Sequence, residues 1–124
     1  MMNPFLQVAI GGALGAVARY GVTRAMAWHG PGFPVATLAV NVAGSFAMGL
    51  LAVVLSQRGA MQVAPLLLTG VLGGFTTFSA FSLDALTLWE RGQAGGAVLY
   101  VAGSVLLSIL AVIAGLAAGR GFLA

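Results

Sequence analysis

G-G-F-T-T-F-S-A-F, residues 73–81, lies within an uncharged run from residue 59 to residue 83 that is long enough to cross a bilayer. A glycine pair and three hydroxyls are out of place there. Hydrocarbon offers no hydrogen bonds to loosened backbone, so non-helical structure at that depth persists only against protein or along a water-filled path. The stretch therefore predicts a transmembrane helix broken midway, with polar groups and phenylalanines at the break that suit a conduit.

On either side of it the chain reads as membrane. Of 124 residues 60% are hydrophobic, with five basic and two acidic side chains and a mean hydropathy of +1.08, whereas soluble domains carry roughly a quarter charged residues. A helix needs about 20 apolar residues to span the hydrocarbon, and four stretches supply them: 3–28, 33–57, 62–90 and 94–119. The expected fold is a single all-α integral membrane domain of four transmembrane helices, the third broken near 73–77. Only turns such as His29-Gly30-Pro31-Gly32 remain between the spans, so any activity must lie inside the membrane. No basic residue precedes the first apolar run and no small-residue cleavage site ends it, so Met1 onward is read as mature sequence. The absence of cysteine excludes disulfides and thiolate metal sites. The pI near 10.8 comes from arginines too few and too scattered to form a nucleic-acid footprint.

The placement of those arginines says more than their number. If the chain crosses four times, both termini share one side with the turn at Arg58, which gives that side Arg58 and Arg120. The other side receives Arg24 and Arg91, with Arg19 if it is counted from within the first span. Orientation follows the Lys/Arg bias across loops, and here the bias nearly vanishes. Two readings stay open: insertion in both orientations to form an antiparallel dimer, or a single orientation set by a one-residue bias. Glycine accounts for 19 residues, and the pairs Gly11/Gly15, Gly70/Gly74 and Gly115/Gly119 have the four-residue spacing that lets helix backbones approach closely.

Polar residues inside the spans are fewer. Thr37, Asn41 and Ser45 form a stripe on one face of the second span, and Tyr100, Ser104 and Ser108 repeat it on the fourth. Such hydroxyls can bond back to their own helix or bridge neighbours; alternatively the two stripes face a common path. Asn41 favours the path, because its amide requires several partners in a dry setting. Phe78 and Phe81, three residues apart, share one face of the helix that resumes after the break. They suit packing against lipid, or a pore in which positive ring edges attract an anion weakly, as conduction requires. The neutral donors of the stripes would replace part of such an ion's hydration shell. Arg19 lies about 24 Å along the first helix, where it can snorkel to the headgroups or form a cationic vestibule. Asp84 is open to three roles: capping, pairing with arginine, or lining the path. His29 reads as interfacial, and Trp28 and Trp89 fit the aromatic belt.

The segments G-G-A-L-G-A-V-A-R-Y (11–20), T-L-A-V-N-V-A-G-S-F (37–46) and G-G-F-T-T-F-S-A-F (73–81) together resemble the CrcB/Fluc fluoride channels, over the whole chain and in order. The third motif is the specific one. The resemblance implies a passive fluoride channel of the cell (inner) membrane that relieves fluoride toxicity. Its implied assembly is an antiparallel, dual-topology homodimer with two pores, each lined by both subunits. The family's pore phenylalanines fall on Phe78 and Phe81, its pore asparagine on Asn41, and its fourth-helix polar track on Tyr100, Ser104 and Ser108, while Thr37 joins the pore from the second-span stripe and the vestibule arginine falls on Arg19. It further implies a structural Na⁺ at the dimer centre, held by backbone carbonyls of Gly73 and Thr76 and their mates. The chain departs from many relatives at Ala80, where they have threonine, and at Asp84, where they have glutamate. A small multidrug exporter would need a membrane-embedded carboxylate in its first helix, which here has only Arg19 and Arg24. A glycine-rich structural subunit would leave Asn41 and the phenylalanines unexplained. One histidine and two acids offer no set of nucleophile, base and orienting group, so an enzyme is not expected.

Overall fold

A computed structural model of the chain describes residues 2–26 and 32–123. The described elements are all helical: α1 (Pro4–Met26), α2 (Val35–Gln57), a short 3₁₀ turn (Met61–Val63), α3 (Pro65–Leu72 followed by the single turn Gly73–Phe75), α4 (Phe78–Glu90) and α5 (Ala94–Leu123). They supply four segments long and apolar enough to cross a membrane, the third being Met61–Glu90. The chain is a multi-pass membrane protein with a bent third span. Trp28 and His29, assigned above to the interface, lie outside the described residues.

Local chemistry sets the helix ends. Asn3 begins α1 by accepting the Phe5 N–H at 2.8 Å, and Pro4 sits in the first turn, where a missing N–H costs nothing. The ends of α2 and α4 use one device twice. Gly59 (φ +65) and Gly92 (φ +79) take the left-handed conformation after Arg58 and Arg91. The next residues close the turn, Ala60 N–H on the Leu55 carbonyl at 2.8 Å and Gln93 N–H on Leu88 at 2.9 Å. This Schellman pattern suits glycine, and the arginine before it meets the negative end of the helix dipole.

The spans associate in two parallel pairs through glycine. Along α1, Gly11 abuts the Leu66 carbonyl and Gly15 the Val71 carbonyl, while Gly74 reaches back to Gly12 and Ala16. Contacts that advance together on both partners make α1 and α3 parallel. On α5, Gly115 meets Phe46 and Leu50 and Gly119 meets Leu50 and Val53, so α2 and α5 are also parallel. Each small-residue pair noted in the sequence lies in one of these seams. A third contact closes the molecule: Leu88 of α4 packs with Ala97 and Tyr100 of α5, against Leu38, Phe81 and Ala85.

The break in the third span does not fall on the glycine pair. Pro65–Leu72 winds as a π-helix, a rare form that gathers near functional sites, and the chain stays helical through Gly73 (φ −63, ψ −37). It leaves the helix at Thr76 (φ −88, ψ 157) and Thr77 (φ −150, ψ 121). The glycines are there for close approach to α1, and two β-branched residues, which favour extended backbone, make the break.

Candidate functional site

The break is held by side chains that supply what the lost helix would have. Asn41 of α2 grips Thr77 on both sides: its Nδ2 donates to the Thr77 carbonyl at 3.0 Å, and its Oδ1 accepts the Thr77 N–H at 2.7 Å. The two bonds also determine the amide's orientation. Thr77 Oγ1 accepts the Ala80 N–H at 3.1 Å, the usual N-cap arrangement, and starts α4. Upstream, the Thr76 N–H and hydroxyl both reach the Leu72 carbonyl, at 3.0 and 2.9 Å. Arg19 of α1 donates from Nε to the Gly74 carbonyl at 3.0 Å, which places a cation against the negative end of α3.

The extended turn opens onto a cavity of about 410 Å³ between α2, α4 and α5. Its walls include Asn41 and Ser45 of the second-span stripe, Ser104 and Ser108 of the fourth, and both Phe78 and Phe81. Thr76 and Thr77 line it too. Ser104 is buried, at 6% exposure, and its Oγ has no hydrogen-bond partner among the described residues. A buried hydroxyl without a partner is costly, so this one is available to a guest. Asn41 retains one free N–H after its two bonds to Thr77. Phe78 is 78% exposed, which leaves the cavity without a wall on that flank.

Thr37 and Tyr100 are not among the cavity walls. Tyr100 is fully buried behind Phe81, with ring centroids 5.2 Å apart, and Phe33 meets it edge-on at 5.4 Å. Its hydroxyl donates to Asp84 Oδ2 at 3.1 Å, with Thr37 beside it. Of the three roles open to Asp84, the geometry places it beside the polar line, one aromatic ring beyond the cavity. Phe78 and Phe81 have centroids 5.4 Å apart at a 50° tilt, and Phe81 to Tyr100 continues the aromatic series.

The arrangement can take a small anion and offers no machinery for covalent chemistry. Neutral N–H and O–H donors line the cavity together with two phenylalanine rings, and Arg19 is held against the Gly74 carbonyl. Among the described residues no three histidine, cysteine, aspartate or glutamate side chains gather as metal ligands. A cation held at the break would therefore rely on neutral oxygens. The Gly73 and Thr76 carbonyls accept none of the turn, cap or side-chain hydrogen bonds among the described residues, which suits such a role.

The sequence reading did not assign Thr77. An available signal was its position three residues before Ala80 at the start of an apolar run, which is where an N-cap is expected.

Comparison with known proteins gives the family. The family model described as "CrcB-like protein, Camphor Resistance (CrcB)" matches residues 6–116. The chain is 62% identical over 124 residues, all of both chains, to the fluoride-specific ion channel FluC of Paracoccus denitrificans. It is 60% identical over 126 residues, again all of both, to that of Cereibacter sphaeroides. With that of Rhizobium etli it shares 54% over 123 residues, covering 97% of this chain and 98% of the other.

Proposed function

The chain belongs to the CrcB family, and from that membership we infer that it is a fluoride channel, a transporter and not an enzyme. In a bacterial cell it belongs in the inner membrane. The observation that carries the anion path is the cavity at the break, where the partnerless Ser104 hydroxyl and the free Asn41 N–H face Phe78 and Phe81.

Conduction follows from weak, repeated contacts. Fluoride entering the cavity exchanges part of its hydration shell for Asn41, Ser104 and Ser108 donors and for the positive edges of Phe78 and Phe81. Beyond Phe81, the Thr37 and Tyr100 hydroxyls would continue the path once the Tyr100 O–H, which donates to Asp84 here, turns from the carboxylate. Neutral donors release the ion where a full positive charge in direct contact would hold it. Arg19 serves as a vestibule charge that raises local anion concentration. Transport is passive. Hydrogen fluoride crosses membranes as the neutral acid and ionises in a less acidic cytoplasm, and a negative interior then favours anion exit by about 2.3 kcal/mol per charge for each 100 mV.

The assembly in this reading is an antiparallel homodimer with two pores. The 78% exposure of Phe78 supports it, since a pore-lining ring left open on one flank needs a wall from a second copy. Backbone carbonyls of Gly73 and Thr76, with their mates, would hold a structural Na⁺ at the dimer centre. That ion would supply the positive charge that freed carbonyls at a helix break call for.

The test is efflux from liposomes followed with a fluoride electrode, with chloride efflux in parallel. The purified chain releases fluoride and retains chloride, and Phe81→Ile slows fluoride efflux at least tenfold while the protein still elutes as a dimer. Equal release of both halides, or normal flux through Phe81→Ile, would place the path elsewhere.

A further inference from the structure

The C-terminal ends of α2 and α5 enclose a second cavity that takes no part in the path above. It measures about 290 Å³ and is lined by Ala52, Val53, Ser56 and Gln57 of α2 and by Leu116 and Arg120 of α5. We propose that it binds the headgroup phosphate of an anionic phospholipid at the membrane surface. The inference rests on the chain spanning a bilayer and holds whatever ion the channel conducts.

Position is the first argument. The two helices run parallel and end together, α2 at Gln57 and α5 at Leu123. The cavity occupies their last turns, at headgroup level for a helix that spans the hydrocarbon. Its polarity is graded in the same direction. Ala52, Val53 and Leu116 lie one or more turns toward the bilayer centre, whereas Ser56, Gln57 and Arg120 lie outermost. A phosphodiester at the outer rim with glycerol and the first acyl methylenes over the apolar floor uses both halves; a free phosphate would use only the rim. Ligand sites run roughly 300–1,000 Å³, so this volume accommodates a headgroup and leaves the chains in the bilayer.

Charge is the second argument. Arg120 presents a planar fork of N–H donors suited to phosphate oxygens, and the Ser56 hydroxyl and Gln57 amide add neutral donors. None of the three side chains enters a hydrogen bond with another described side chain or backbone group. No acid lines the cavity. Of the chain's two acidic residues, Asp84 is bonded to Tyr100, and Glu90 ends α4 on the side where α5 begins. The dipoles of α2 and α5 work against an anion here, because both point their negative ends at the cavity. At α2 that opposition is blunted: the Val54, Leu55 and Ser56 carbonyls already accept N–H groups from Arg58, Ala60 and Gly59. Arg58, at this C-cap, adds a second positive charge to the same end.

Native mass spectrometry of the full chain, released from detergent containing phosphatidylglycerol or phosphatidylcholine with matched acyl chains, tests the assignment. The wild type retains phosphatidylglycerol adducts at least fivefold more than phosphatidylcholine, and Arg120→Gln lowers that retention at least fivefold. Arg91→Gln, at the opposite surface, leaves it unchanged. The Ser56→Ala, Gln57→Leu double variant, which keeps the charge, lowers retention at least threefold. An unaltered thermal midpoint of each detergent-solubilised variant shows that the chain is folded. Equal retention of the two lipids, or unchanged retention in folded Arg120→Gln, overturns the site. Displacement of phosphatidylglycerol by millimolar inorganic phosphate overturns the lipid assignment in favour of a free-anion site.

Discussion

Asn41 has two duties that one substitution can separate from simple donation. It clamps Thr77 through both its oxygen and one N–H, and it also lines the cavity. Asn41→Asp keeps the size and the acceptor but sets a carboxylate oxygen against the Thr77 carbonyl. A mismatch of that kind costs roughly 1–3 kcal/mol, so we expect fluoride efflux from liposomes to fall about tenfold to a hundredfold, at about 1.4 kcal/mol per decade. Efflux within twofold of wild type would remove Asn41 from both duties. Asn41 could be singled out from sequence because an amide in an apolar run must find partners. Which partners it finds was not legible, since Thr76 and Thr77 are chemically identical until their backbone angles are known. The same holds for Tyr100, whose spacing aligned it with Ser104 and Ser108. Its bulk buries it behind Phe81, and its hydroxyl goes to Asp84.

At the scale of the element, the third span works because its two halves are capped independently. α3 ends on Thr76 bonds to Leu72 and on Arg19, while α4 begins on the Thr77 hydroxyl. Thr77→Val preserves shape and extended backbone but removes the cap, whose loss costs about 1 kcal/mol. We expect the thermal midpoint of the detergent-solubilised protein to drop by several degrees, and Thr77→Ser to restore it. An unchanged midpoint in the valine variant would mean that α4 is started by packing alone. That a break exists was readable from glycine and hydroxyls at bilayer depth. The break at Thr76 and Thr77 lies within the expected 73–77, but which of those residues leave the helix was not legible, because flexibility and close approach both call for glycine. Only the neighbouring α1 backbone distinguishes them.

At the scale of the whole molecule, exposure bears on the proposed antiparallel dimer. Apolar side chains such as Leu14, Val17, Leu106 and Leu110 are exposed along α1 and α5, as suits lipid, yet Phe78 stands equally bare beside the cavity at the break. The antiparallel assembly makes a clear prediction given the near-tie of Arg58 and Arg120 against Arg24 and Arg91. A C-terminal reporter active on one side of the membrane should give signal from both of two fusions chosen for opposite sides. Signal from one fusion alone would rule out dual insertion. Four spans were legible from composition, whereas their pairing was not, because nineteen glycines offer many seams and only folding selects among them. That selection divides the glycines into two genetic classes. Gly15, Gly49, Gly74 and Gly115 face backbone that a methyl group would strike, whereas Gly12, Gly21, Gly95 and Gly103 would turn one into open space. A library of single alanine codons grown under fluoride selection should lose the first group and keep the second, although alanine is the mildest replacement available. Survival of the first group at wild-type frequency would contradict the seams. For such a chain, drift is constrained most where the sequence looks blandest.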